Sequence, residues 1–184
     1  GTYTMREFTE LLAAANSELW AMRPQSLRAM LLQAKSGERA ARPAKLPKVQ
    51  GKIAVIPLTG MIVQRGSMWD EYFGCTSTMR FEAAFARAYN EEQVGAVVID
   101  VDSPGGITAG VQMAADRVFA TRGKGKPVVT VSNSMMCSAA YWIGSAAEHV
   151  YAVPGCTSIG SIGVYRMHED MSKYLEEIGI NISF

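Results

Sequence analysis

The sequence predicts an α/β fold with mostly parallel strands, preceded by a helical N-terminal segment, and three observations carry that reading. From Gly51 onward, short apolar, β-branched runs alternate with stretches whose apolar residues recur at helical spacing. The strand candidates are nearly continuous in apolar residues, as strands of parallel sheets are. Their order, strand then helix then strand, favours right-handed crossovers between parallel neighbours.

The elements follow in order. Residues 4 to 34 read as helical: Thr4 and Glu7 have capping-box spacing, and Phe8, Leu11, Leu12, Ala15 and Leu19 repeat along one face. Pro24 breaks the run, and a second short helix carries Leu27, Met30 and Leu31 as far as Ala34. Ser36 to Gln50 loses periodicity and gains Pro43 and Pro47, which marks a linker. Lys35 to Lys52 holds six Lys or Arg and one Glu, which suits a solvated connector or a contact to an acidic partner. The expected organisation is a helical preface over 1–35, a basic linker over 36–50 and a core over 51–184.

Within the core, Ile53 to Leu58 reads as a strand, Phe81 to Tyr89 as a helix and Ala96 to Val101 as a strand. Thr108 to Arg122 is a helix presenting Val111, Ala114, Ala115, Val118 and Phe119 on one face. Val128 to Val131 is a strand, Ala139 to Ala147 a short helix and Val150 to Val153 a strand. Ser161 to Val164 is extended, Glu169 to Ile178 helical, and Ile180 to Phe184 enters a further strand.

Composition excludes several classes. Eighteen Lys and Arg against 17 Asp and Glu argue against binding nucleic acid or acidic membrane by bulk charge. Three cysteines, Cys75, Cys137 and Cys156, without a C-x-x-C pair and with only two histidines, argue against a disulfide scaffold or a structural zinc site. The N-terminus lacks the apolar centre of a secretory signal. Pro127 to Ala147 runs 21 residues without a charge, yet it is too rich in Ser and Asn for a membrane span. A cytoplasmic protein is expected.

Two strand-to-helix junctions draw attention. Asp102-Ser103-Pro104-Gly105-Gly106 can turn sharply and present backbone N–H groups at a helix start, although Pro-Gly-Gly is also an ordinary turn. Ser132 to Ala140 is a polar, small-residue stretch leading into the helix of Tyr141 and Trp142. A hydroxyl there serves as a helix cap, or as a nucleophile assisted by N–H donors. Acyl transfer needs such a nucleophile and two converging donors.

These two junctions, followed by Gly160-Ser161-Ile162-Gly163-Val164, resemble the signal peptide peptidase A family of serine peptidases, within the ClpP and crotonase fold group. The likeness is greater to the phage branch, whose members act as capsid-assembly (prohead) proteases, and it covers about residues 51 to 184. The resemblance implies ClpP/crotonase-like β-α-β units, with Ser138 as nucleophile and Gly105, Gly106 and the N–H of Ala139 as the oxyanion hole. Relatives commonly have Ser-Gly-Gly where this chain reads Ser138-Ala139-Ala140. Ser161 matches a serine that can hydrogen-bond the catalytic amine, or is a plain turn residue. Tyr141 and Trp142 are expected in the core. The resemblance also implies a Ser-Lys dyad, whose lysine is expected shortly after Phe184, so the 184 residues read as a piece of a longer protein. Lys173, on the polar side of its helix, is a poor substitute.

Other candidates weigh less. His168 and His149 raise a Ser-His-Asp arrangement. Cys137 beside Ser138 reads as a small apolar filler. Asp100 and Asp102 suit structural hydrogen bonds. The expectation is a phage or prophage serine endopeptidase that processes scaffold or capsid proteins, self-associates, and needs no metal or nucleotide. The alternatives are a host peptidase of the same family, a crotonase-like acyl-CoA enzyme, and a catalytically dead capsid-assembly module.

Overall fold

The structure, a computed structural model, describes residues 5–36, 45–66, 68–156 and 158–168. In chain order its first half holds α1 (Met5–Ser17), β1 (Leu19–Met22), α2 (Pro24–Lys35), β2 (Lys48–Gln50), β3 (Ile53–Val63), α3 (Met68–Phe73), β4 (Thr76–Ser77) and α4 (Thr78–Asn90). Then come β5 (Ala96–Ile107), α5 (Val111–Phe119), β6 (Val128–Cys137), α6 (Ala139–Ser145), β7 (His149–Ala152), β8 (Ser158–Gly160) and β9 (Tyr165–Arg166).

The sheet is mixed. β3 pairs with β5, β5 with β6, and β6 with β7 and β8 in parallel, and the short β4 joins β3 the same way. Three pairings are antiparallel: β2 with β3, and β1 with both β5 and β9. The helices α4, α5 and α6 lie between the parallel strands in sequence and share one hydrophobic cluster with the sheet. That cluster joins Ile56, Leu58, Val97, Ile99 and Val101 to Phe81 and Phe85 of α4, Val111 and Val118 of α5, and Ile143 of α6. Burial along β5 alternates residue by residue: Val97, Ile99, Val101 and Ser103 are sealed, while Ala96, Val98, Asp100 and Asp102 are half-buried. The apolar run there faces a helix layer on one side only.

At its other end the sheet is covered on both sides. The period-two alternation of a strand sends Ala21 and Ile62 into the first cluster, and Trp20, Met22, Met61 and Val63 into a second. The second cluster includes Leu11 and Ala15 of α1, Leu27 and Leu31 of α2, and Trp69 and Phe73 of α3. Trp20 meets Trp69 edge to face at 5.3 Å between centroids. The N-terminal helices are therefore packed onto the strand ends.

Five local expectations are corrected. The helical spacing that reaches Leu19 does not extend the helix; α1 stops at Ser17 and residues 19–22 form β1, because a ladder with β5 and burial of Trp20 outweigh local periodicity. Pro104-Gly105-Gly106 is not a turn at a helix start: it continues β5 to Ile107, paired with β3 on one side and β1 on the other, and α5 begins at Val111. β6 runs through the polar stretch to Cys137, since β8 pairs with Met135, Met136 and Cys137. Ser161 to Val164 is irregular, and Lys48–Gln50 is a strand. Thr4 of the capping box, linker residues 37–44, and the elements expected over 169–178 and 180–184, with Lys173, lie outside the described residues.

Candidate active site

Ser138 stands where β6 gives way to α6. Its backbone is at φ 53° and ψ −114°, a conformation that a residue with a Cβ adopts at a cost of about 1–3 kcal/mol. Three hydrogen bonds hold it there. Its N–H donates to Gly160 O at 2.7 Å, its carbonyl accepts from Trp142 N–H at 2.8 Å, and its Oγ donates to Gly163 O at 3.2 Å. Ser138 occupies the N-cap position of α6, yet its hydroxyl does not cap the helix. The side chain instead lines a cavity of about 400 Å³ with Ala21, Tyr141, Trp142, Ser145, Ile162, Gly163 and Val164.

The residues around Ser138 explain this aim. Cys137 and Ala139 on either side are sealed in the interior, so the reversed backbone turns the intervening side chain outward to the cavity. Ala139, Ala140 and Ile143 pin the helix to the sheet. Trp142, expected in the core, is 42% exposed and, with Tyr141, forms part of the cavity wall.

The glycine segment arrives from β5. Gly105 has φ 98°, and a Cβ on it would sit 2.2 Å from Ala21 O and 3.0 Å from Cys137 O. A Cβ on Gly106 would sit 1.9 Å from Ile62 O. Neither position accommodates a side chain. The N–H of Gly105 donates to Ser103 Oγ at 3.1 Å, and that hydroxyl donates to Gly60 O at 2.6 Å. The N–H of Ala139 opens α6 and belongs to the first-turn donors that a helix leaves without an intrahelical acceptor. The structure thus brings Ser138 and the glycine segment to the same ends of adjacent strands.

The remaining candidates lie elsewhere. Ser161 is exposed at φ 52° on the loop whose next three residues line the cavity. His149 is exposed and meets the Tyr151 ring; neither it nor His168 lines the Ser138 cavity. Asp100 accepts a hydrogen bond from Asn133 Nδ2. Burial raises the Cys137 thiol above its ordinary range, against the opposing pull of Arg23, which favours the thiolate. Among the described residues no group of His, Cys, Asp and Glu could hold a metal ion, and no helix is long and apolar enough to cross a membrane.

Sequence reasoning missed β1, and it singled out Gly160 to Val164 without placing residues 162–164 in the wall of the Ser138 cavity. Ala21 lines the cavity beside Ser138, and Arg23 Nη1 donates to Ser158 Oγ at 3.1 Å, bracing β8 next to the site. A four-residue run of Leu, Trp, Ala and Met ahead of Pro24 was the available signal, since Pro at a helix's first turn resets the element.

The profile of peptidase family S49 matches residues 120–184, a stretch that holds β6, Ser138 and α6. The chain carries a peptidase S49 domain. The S49 chain is 36% identical over 142 residues to the head-tail preconnector protein GP5 of Enterobacteria phage P21, covering 77% of this chain and 28% of the relative. It is 34% identical over 142 residues to the capsid assembly protease C of Escherichia phage lambda, covering 77% of this chain and 32% of the relative. Protease 4 of Haemophilus influenzae is 30% identical over 133 residues, covering 72% of the S49 chain and 21% of the relative. The S49 chain therefore spans less than a third of the length of each.

Proposed function

We propose that the protein is a serine endopeptidase of ClpP/crotonase-like architecture in which Ser138 is the nucleophile, acting on scaffold or capsid proteins during phage head assembly. The observation that carries this reading is Ser138 itself: a serine at a helix N-cap position that forgoes capping, sits in a strained backbone conformation and lines a cavity. The phage relatives, one named a capsid assembly protease and the other a head-tail preconnector protein, favour a head-assembly setting.

In this reading Ser138 Oγ attacks the scissile carbonyl while a neutral lysine from beyond Phe184 takes its proton. The oxyanion that forms is met by the N–H of Ala139 and of the Gly105-Gly106 segment. The second donor is Gly106, released when substrate takes the place of its ladder partner Ala21, since the Gly105 N–H is held by Ser103. The lysine returns the proton to the leaving amine, and water then releases the acyl group from Ser138. Ser161, one residue past the Gly160 carbonyl that anchors Ser138, is proposed to orient the lysine amine. No metal or nucleotide enters this scheme. Self-association, a bacterial cytoplasmic setting and the division into preface, basic linker and core belong to the same proposal.

The test is intact mass. A chain with its native continuation, wild type beside Ser138→Ala, is incubated with a candidate scaffold protein. Cleavage by the wild type and none by the variant is the expected result. Equal cleavage by both overturns Ser138, and none by either favours the assembly-module reading.

A further inference from the structure

Strand β1 runs along the edge of β5 beside the Ser138 cavity. The last pairing between β5 and β6 joins Ser103 to Met136; beyond it β6 turns into α6, and β5 continues without it. The edge of β5 that β6 vacates is taken by β1, antiparallel, with Met22, Ala21 and Trp20 opposite Gly105, Gly106 and Ile107. The other edge of β1 pairs with β9. Arg23 N–H donates to Pro104 O at 2.9 Å and Thr108 N–H to Leu19 O at 3.0 Å. The alternation of an antiparallel ladder makes Ala21 and Gly106 the hydrogen-bonded pair between them. The chain's own backbone therefore occupies Gly106, and Ala21 lines the cavity with Ser138.

We propose that β1 is a displaceable internal occupant of the substrate groove, which keeps the site closed until residues 19–22 leave the edge of β5; this rests on the reading of Ser138 as nucleophile. Specific contacts grip both ends of the strand. Arg166 Nε and Nη2 donate to the carbonyls of Asn16 and Ser17 just before it, and Arg23 holds Ser158 just after it. Trp20 donates its indole N–H to Ala15 O at 2.8 Å and, with Met22, is sealed in the second cluster. An incoming peptide strand can replace the ladder bonds one for one. What it works against is the packing of Trp20 and Met22, so its apparent affinity falls by the fraction of molecules that are open.

The test is a reducible lock in the full-length protein. Leu19 and Arg166 are in register on β1 and β9, so Leu19→Cys with Arg166→Cys gives a disulfide that fixes the strand. The probe is a fluorescent peptide of the sequence Ser17–Pro24, read by anisotropy on a Ser138→Ala background, which reports binding without chemistry. The oxidised protein is expected to bind at least about tenfold more weakly than the reduced one, reversibly. Equal affinity in the two states, or no binding after reduction, overturns the proposal. Hydrogen exchange on the wild type supplies a check free of variants. With saturating peptide, residues 19–22 are expected to lose protection while 105–107 keep it, and retained protection at 19–22 with peptide bound overturns the proposal. Labelling by a fluorophosphonate is read separately, on the double-cysteine protein with Ser138 intact: a reduced protein that does not label at Ser138 counts against the nucleophile and leaves the occupant standing.

Discussion

The N–H of Ser138 donates to the carbonyl of Gly160 at 2.7 Å, one residue past the last parallel pair of β6 and β8, which joins Cys137 to Gly160. That bond extends the ladder by a single step and sets the strained backbone of the serine. Glycine adopts φ 53° without a Cβ penalty, so Ser138→Gly is expected to stabilise the fold by about 1 kcal/mol. Thermal unfolding should show a gain of about 2–4 °C. Ser138→Ala keeps the Cβ and should lack the gain, and neither variant should cleave peptide.

Gly106→Ala is expected to be severe. A Cβ 1.9 Å from Ile62 O, in a segment paired on both edges, forces β3 and β5 apart. A loss of about 3 kcal/mol or more in chemical denaturation is expected. Gly155→Ala is the control: no atom lies within 4 Å of its Cβ position, so only the left-handed backbone, φ 89°, opposes it.

Arg122 closes the far end of the helix that Ser138 begins. Its guanidinium donates to the carbonyls of Ser145, Ala146 and Ala147 at 2.8, 2.9 and 2.7 Å and lies 4.7 Å from the Phe119 ring centroid. Arg122→Ala should cost about 1.5–3 kcal/mol, measured by urea unfolding. Arg122→Lys should recover only part of that, because an ammonium cannot span three carbonyls.

The thiols should separate by reactivity. Burial, reinforced by the Asp70 carboxylate, pushes Cys75 from its ordinary 9.0 to about 12, and burial also raises Cys137. At pH 8, alkylation of the native protein followed by peptide mass analysis should modify the more accessible Cys156 first. The sign for stability follows. The unfolded Cys75 thiol releases its proton near 9.0, the folded one only near 12, so its contribution is complete below pH 9 and is lost between those values. The melting temperature should fall from pH 8 to pH 10.5, less steeply in Cys75→Ala than in the wild type.

The repeating units were legible because each helix shows its inner face in sequence. Phe81 with Phe85, and Val111 with Ala114, Ala115 and Val118, recur at the spacing of one helical stripe, and all of them are buried. Ser138 stood out through its neighbours, and the structure brings it together with Gly105 and Gly106. The strand through Pro104-Gly105-Gly106 was not legible, because these residues are the usual signals of a turn. Here close backbone approach from Ala21 and Ile62, not turning, demands the glycines. β1 was hidden for a related reason: four residues are too few for a period, and their partners lie far along the chain.

That distance has a consequence for the order in which the molecule is made. Arg166 holds the carbonyl of Asn16 across 150 positions of sequence. A ribosome adding about 5–20 residues per second needs on the order of ten seconds to half a minute to traverse that interval. During synthesis β1 can meet β5 early, but it must wait for its second partner while every parallel crossover from β3 to β7 is completed. The nascent chain therefore passes through a stage in which Ser138 has been made and β1 is held along one edge only.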